Sequence, residues 1–295
     1  MKKIFSIVVL ISSLVFSGCQ NEPKPVSSTG DKYALFNEDP IVNKRNERPL
    51  SLPLMIPSGD HSIAGRILMA KGKDAKPTVI FLHGNPGFEK NEETGQILRR
   101  AGYNAVFCSY SGTWGNKGVF SYQQSIQDVK AIVTYLTKNS KHIRVNRQAI
   151  YLCGFSMGAD IALLAGQDLE QVKGIISIDP WNGHYSLKQK TEQELAKYIK
   201  NLEQRPCIQI ESGNAFVDGI ITKDKMNLKE PLENYPNHTL HIFSKKKDKL
   251  AYKRCFDAVN EKDIVVLNAC DHSFSDKRMA LAQTLFDWLE KESKE

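Results

Sequence analysis

The chain has 295 residues, of which 41% are hydrophobic and 25% are charged. This composition is ordinary for a globular protein and argues against a disordered, collagen-like or coiled-coil chain. The formal net charge is +7, but it is spread along the sequence without a long basic run, so a solvated surface is favoured over nucleic-acid binding. Six cysteines are too few for a disulfide scaffold.

The N-terminus has the pattern of an export signal. Two lysines precede an apolar stretch at 4–16, which is shorter than the roughly 20 residues of a transmembrane helix. It ends in Phe16-Ser17-Gly18-Cys19, which resembles a bacterial lipoprotein signal, although Phe16 stands where leucine is usual. The resemblance implies a signal peptide over 1–18, lipidation of Cys19 and a lipid-anchored position in the cell envelope, periplasmic or at the outer membrane. Ordinary secretion and an uncleaved anchor are the alternatives.

The segment after Cys19 is polar and rich in proline and serine. We expect residues 19–40 to form a flexible tether and residues 41–295 to form the folded domain.

Short apolar runs alternate with helical patterns along this domain, which predicts an α/β fold with a mostly parallel sheet. The predicted strands are Ser62–Ala70, Thr78–His83, Asn104–Ser109, Gln148–Cys153, Val172–Ile178, His238–Phe243 and Asp263–Leu267. The predicted helices are Glu92–Ala101, one with an apolar face from Ile126 to Leu136, Met157–Leu169, Leu250–Val259 and Lys277–Glu292.

The longest interruption of this alternation runs from Trp181 to Pro236. It contains one clear helical pattern, Thr191–Gln204, and an otherwise polar remainder. We interpret residues 181–236 as a small lid over the carboxyl edge of the sheet. Because the lid has no long apolar stretch, we expect a shallow site that prefers short or polar acyl groups to long lipid chains.

The motif Gly154-Phe155-Ser156-Met157-Gly158 lies between a buried strand and a helix. A serine on a sharp strand-to-helix turn needs small neighbours, which the two glycines supply. The turn would expose the Ser156 hydroxyl at the edge of the sheet, next to the positive end of the following helix.

With this motif the sequence resembles the α/β-hydrolase superfamily, from about Leu50 to Glu290. His83-Gly84-Asn85-Pro86-Gly87 is similar to the superfamily's oxyanion loop, and the resemblance implies that the backbone amides of Asn85 and Met157 form the oxyanion hole. The stretch Ser109–Gly118 resembles the glycine-rich loop of the dienelactone-hydrolase-like and prolyl-oligopeptidase-like branch. Ser111 stands there in place of the usual arginine.

The superfamily's chain order of serine, acid and histidine suggests the remaining catalytic residues. His272 lies in a segment that resembles the catalytic-histidine loop, and it is the predicted base. Asp248 follows the strand that ends near Phe243, and it is the predicted acid, with Asp179 as the alternative. His83 is interpreted as a structural residue that braces the oxyanion loop.

The resemblance implies a serine hydrolase that cleaves a carboxylic ester through an acyl-enzyme. A serine peptidase or aminopeptidase of the same fold and a non-catalytic binding lipoprotein are the alternatives. Glu89, Glu92 and Glu93 are either a solvated helix start or a contact for a cationic substrate group. We expect a small ester or peptide substrate, a membrane contact through lipidated Cys19 and no nucleic-acid partner. No cofactor or metal is expected, since the sequence shows neither metal-ligand spacing nor a phosphate loop.

Overall fold

A computed structural model of the protein describes residues 33–37, 39, 41–234, 238–256 and 259–294. The predicted signal peptide, the lipidation site Cys19 and most of the predicted tether lie outside these residues. Within the described ranges, no helix has the length and apolar character needed to cross a membrane.

The described part of the chain forms an eight-stranded sheet in the order β1-β2-β4-β3-β5-β6-β7-β8, with helices on both faces. The strands are β1 (Leu50–Ser58), β2 (His61–Met69), β3 (Lys76–Leu82), β4 (Asn104–Cys108), β5 (Val145–Phe155), β6 (Val172–Ile178), β7 (Thr239–Phe243) and β8 (Ile264–Val266). The helices are α1 (Ala34–Asn37), α2 (Glu92–Arg100), α3 (Tyr122–Lys138), α4 (Met157–Gly166), α5 (Gly183–Lys188), α6 (Glu192–Glu203), α7 (Gly213–Ile221), α8 (Lys229–Asn234), α9 (Lys246–Cys255) and α10 (Arg278–Glu292). Short 3₁₀ turns lie at Arg45–Glu47, Asp224–Met226 and Glu261–Asp263.

The predicted mostly parallel sheet is confirmed. The six strands from β3 to β8 are parallel to one another, whereas β1 and β2 form an antiparallel hairpin at one edge, and β2 joins β4 in antiparallel orientation. The central strands are apolar on both faces because helices cover both faces. Helices α3 and α4 pack on one face, and α1, α2 and α10 pack on the other.

Three parts of the structure differ from the sequence-based expectation. Strand β1 was not predicted, since Pro53 and Pro57 interrupt its pattern; both prolines are tolerated because β1 is an edge strand. Residues 34–37, which lie within the predicted tether, form α1, and Phe36 is buried against Phe286 with ring centroids 5.4 Å apart.

The third difference is the insertion after β6, which is more helical than its polar sequence suggests. The predicted helix is present as α6, and α5, α7 and α8 join it. The insertion contributes apolar side chains to the same core as α3 and α4, with Phe216, Val217 and Ile220 buried.

Candidate active site

Ser156 occupies the sharp turn that connects β5 to α4. Its φ of 55° and ψ of −120° are strained for a residue with a side chain. A Cβ on Gly154 would lie 2.1 Å from the carbonyl oxygen of Gly158, and one on Gly158 would lie 2.1 Å from the carbonyl oxygen of Leu82. Only glycine fits at both positions, so the local sequence imposes the turn that carries the serine.

His272 lies in the loop between β8 and α10, beside the end of β6. Its Nδ1 is 2.7 Å from Oδ2 of Asp179, and its ring packs on Phe155 with centroids 4.7 Å apart. The Asp179 side chain is only 5% exposed, and its Oδ1 accepts a 3.0 Å hydrogen bond from the Ser244 amide. Because Nδ1 is bound to the carboxylate, Nε2 is the ring nitrogen left to exchange a proton.

The predicted pairing of Asp248 with His272 is not seen among the described residues, where His272 contacts Asp179 instead. Asp248 lies in the first turn of α9, where its Oδ2 accepts a 3.4 Å hydrogen bond from the Ser244 hydroxyl. After β7 ends at Phe243 the chain turns into this helix, and Asp248 lines the same cavity as His272 without a hydrogen bond to it in the described part of the protein. Asp179 follows the last residue of β6 directly, so the alternative acid is the one beside His272.

Ser156 and His272 line the same cavity, which has a volume of about 600 Å³ and lies between α5 and α9. Its other walls combine aromatic and polar side chains: Trp181, Asn182, Tyr185, Ser186, Gln189, Lys245, Lys247, Asp248 and Tyr252. A cavity of this size fits a small ligand.

The loop that carries His83 and Asn85 lies against the turn at Ser156. A Cβ on Gly84 would lie 3.0 Å from the Ser156 Cβ. His83 is buried, its Nδ1 lies 2.7 Å from the Gly84 carbonyl oxygen, and burial lowers its pKa to about 4. A neutral, buried imidazole fits the structural role predicted for His83.

Arg205, which no sequence pattern marks as a candidate, contacts Asn85 in the loop beside Ser156. Its Nη1 donates a 2.7 Å hydrogen bond to Oδ1 of Asn85. Just after Arg205, the Cys207 carbonyl oxygen accepts from the Trp114 amide at 2.8 Å, and Gln209 donates to the Gly112 carbonyl oxygen at 2.6 Å. The insertion therefore braces two loops at the carboxyl edge of the sheet.

Asp160 anchors the turn that follows Asp179. Its carboxylate accepts hydrogen bonds from the Tyr122 hydroxyl at 2.5 Å and from the amides of Gly183 and Asn182 at 2.9 and 3.1 Å. Burial raises its pKa to about 6. An acid within the otherwise apolar helix α4 was the available sequence signal for this role.

The acidic residues near α2 contact arginines. Glu89 and Glu93 pair with Arg278, and Glu92 lies 3.0 Å from Arg66. Arg278 also donates to the carbonyl oxygen of Ser273 at 2.8 Å. These carboxylates thus help to hold the loop of His272, and their engagement disfavours the cationic-substrate interpretation.

Among the described residues, no three His, Cys, Asp or Glu side chains are grouped as a metal site would require.

The backbone amides predicted to form the oxyanion hole belong to residues close to Ser156. Asn85 lies in the loop beside Ser156, and Met157 is the first residue of α4, where amides lack intrahelical acceptors.

Comparisons with known proteins identify the fold. The BD-FAE family model matches residues 67–209. Est1E from Butyrivibrio proteoclasticus, solved with ferulic acid bound, aligns over 82% of this chain and 100% of its own with a TM-score of 0.65 and 16% identity. An esterase from Pyrococcus furiosus aligns over 82% of this chain and 91% of its own, with a TM-score of 0.60 and 17% identity. The chain has the α/β-hydrolase fold.

An acylaminoacyl peptidase from Pyrococcus horikoshii shares the fold as well. It aligns over 83% of this chain but only 42% of its own, with a TM-score of 0.56 and 15% identity. No curated protein sequence matches the chain significantly. At these identities the α/β-hydrolase neighbours show the architecture, and the chemistry has to be argued from the site.

Proposed function

We propose that the protein is a serine hydrolase that cleaves carboxylic esters, with Ser156 as nucleophile, His272 as base and Asp179 as the orienting acid. The observation that carries this proposal is the 2.7 Å contact between His272 and Asp179 in the cavity that Ser156 lines. The strained turn at Ser156 adds support, since strain of this kind is typical of functional positions.

The reaction proceeds in two acyl transfers. Ser156 Oγ attacks the ester carbonyl carbon while His272 Nε2 takes the hydroxyl proton. The tetrahedral intermediate collapses, the bond to the alcohol oxygen breaks, and His272 gives its proton to the departing alcohol. Water then attacks the acyl-enzyme with the same histidine as base, which releases the acid and restores the serine.

The carboxylate of Asp179 stabilises the imidazolium that forms in each half-reaction and keeps Nε2 unprotonated between them. Backbone amides of Asn85 and Met157 donate to the oxyanion of the intermediate, which is worth about 10²–10³-fold in rate for each donor in comparable sites. The Asn85–Arg205 hydrogen bond orients the residue that supplies the first amide.

The esterase neighbours support ester substrates, and the cavity supports short or polar ones. The cavity has a volume of about 600 Å³, and a long acyl chain would leave the buried polar atoms of Asn182 and Tyr252 in its wall unpaired. Each methylene left in water forgoes about 0.8 kcal/mol of binding. We therefore expect kcat/KM to fall from acetyl to palmitoyl aryl esters.

The test combines labelling and hydrolysis. A fluorophosphonate probe should label Ser156, as located by peptide mass spectrometry, and Ser156→Ala should lower kcat on 4-nitrophenyl acetate by roughly 10⁴–10⁶-fold. Near-normal turnover by a folded Ser156→Ala protein contradicts the proposal. Cleavage of aminoacyl arylamides alone would instead favour a peptidase, as the acylaminoacyl peptidase among the structural neighbours is.

The location of the protein is part of the proposal. The lipoprotein-like sequence before Cys19 supports a lipid anchor in the cell envelope. We expect the full chain to partition into detergent and Cys19→Ser to yield an active protein in the aqueous phase. A Cys19→Ser protein that stays in the membrane would indicate an uncleaved apolar segment instead.

A further inference from the structure

The cavity beside Ser156 extends well beyond the reacting groups, between the first helix of the insertion and α9. What it binds would decide which esters react. The inference below rests on the proposed function, because it assigns the substrate class of the same site.

Two buried side chains that line the cavity have a polar atom without a partner in the described part of the protein. Asn182 is 7% exposed and Tyr252 is 4% exposed, and neither Oδ1 of Asn182 nor the Tyr252 hydroxyl makes a hydrogen bond. Buried polar groups are normally paired, and an unpaired one retains the cost of its lost hydration. Polar atoms of a bound ligand would supply the missing partners.

The cavity wall carries two lysine side chains. Lys245 and Lys247 both line it, and neither forms an ion pair with a carboxylate among the residues that the structure describes. Lys245 is also the N-cap of α9 and gives that helix no side-chain cap, so the positive end of the helix faces the same region.

Two carboxylates also line the cavity, and neither pairs with these lysines in the described part of the chain. Asp179 is bound to His272, and Asp248 is a single carboxylate that contacts the Ser244 hydroxyl. We infer that the cavity binds a carboxylate-bearing part of the substrate, so that the preferred esters are those of dicarboxylic acids or of alcohols that carry an acid group. Lys245 and Lys247 hold the carboxylate, and Asn182 and Tyr252 contact other polar atoms of the same group.

The test compares charged and neutral esters of matched size. The 4-nitrophenyl monoester of glutaric acid is measured against 4-nitrophenyl pentanoate, and 3-acetoxybenzoate is measured against 3-methylphenyl acetate. The first pair places the carboxylate on the acyl side and the second places it on the alcohol side. We expect kcat/KM to favour the charged member of one pair by about tenfold, which corresponds to roughly threefold for each lysine.

Lys245→Gln/Lys247→Gln should bring that ratio close to one, and about 1 M NaCl should lower it because the screening length shrinks to roughly 3 Å. Lys246→Gln is the matched control, since Lys246 is exposed on the same helix and does not line the cavity. Its ratio should stay at the wild-type value.

Ratios near or below one in both pairs, or an equal loss in the Lys246→Gln protein, would overturn the inference. The proposed function is judged separately, by whether Ser156→Ala abolishes hydrolysis of the neutral esters. A serine hydrolase without charge preference would therefore leave the mechanism standing and refute only the substrate class.

Discussion

The ends of β6 and β7 are neighbours at the same edge of the sheet, and each is followed by an aspartate that lines the same cavity. After β6, Asp179 comes at once, with a φ of 44°, and its carboxylate lies 2.7 Å from His272. After β7, the chain enters α9 before Asp248 appears, and that carboxylate accepts a 3.4 Å hydrogen bond from the Ser244 hydroxyl. Proximity to the strand end, rather than order along the chain, decides which carboxylate reaches the histidine.

The two ends also differ in how they are held. The turn after Asp179 is fixed by Asp160, which accepts two backbone amides, and Asp179 itself accepts the amide of Ser244. The start of α9 has no side-chain cap and presents lysines to solvent and to the cavity. We therefore interpret the end of β6 as the catalytic side and the end of β7 as the substrate-binding side.

The largest expected effect separates the two aspartates directly. Asp179→Asn should lower kcat by up to about 10⁴-fold, because an amide no longer holds the imidazole in the required tautomer or stabilises its charged form. Asp248→Asn is the matched control and should change kcat less than about threefold, since its carboxylate makes only a weak contact. Steady-state kinetics on 4-nitrophenyl acetate gives both values, and a reversal of the two would restore Asp248 as the acid.

A second, smaller effect concerns Asp160, whose carboxylate binds the backbone of the turn after Asp179. Burial raises the folded-state pKa of Asp160 from 3.8 to about 6, so the folded protein binds this proton more tightly than the unfolded chain does. The resulting stabilisation is present below about pH 4 and is lost as the pH rises towards 6.

The measurement is the free energy of urea unfolding of wild type and Asp160→Asn at pH 4 and pH 7. The advantage of wild type over the variant should shrink by roughly 2–3 kcal/mol between these pH values. A difference that is constant, or that grows with pH, contradicts a carboxyl group whose pKa is raised in the folded state.

The smallest effect concerns the brace on the oxyanion loop. Arg205→Ala removes the hydrogen bond to Asn85 and should lower kcat roughly tenfold with little change in KM, because the loop amide is aimed less well at the oxyanion. Arg205→Lys, which keeps a donor, should recover part of the loss. A rise in KM at unchanged kcat would assign Arg205 to substrate binding instead.

The sequence was most informative where burial dictates composition. Continuous apolar runs identified β3 to β7 because helices cover both faces of these strands, and two glycines identified the Ser156 turn because any side chain there would clash. It was least informative where partners come from distant segments. Asp179 and Asp248 both satisfy the order of serine, acid and histidine. Only the fold shows that Asp179 is the one in contact with His272, which lies 93 positions further along the chain.

The insertion shows the same limit. Its α6 has a capping box at Thr191 and was predicted, whereas α5, α7 and α8 are short helices that depend on the core they cover. The contact of Arg205 with Asn85 joins residues 120 positions apart, so no local sequence pattern predicts it.

A double-mutant cycle between Asp179 and His272 tests the central claim most directly. If the carboxylate acts through the imidazole, Asp179→Asn should cost up to about 10⁴-fold in kcat in the wild-type background and almost nothing in a His272→Ala background. Asp248→Asn should have a small effect in both. Equal losses from Asp179→Asn in the two backgrounds, or strong coupling of His272 to Asp248 instead, would contradict the assignment of Asp179 as the orienting acid.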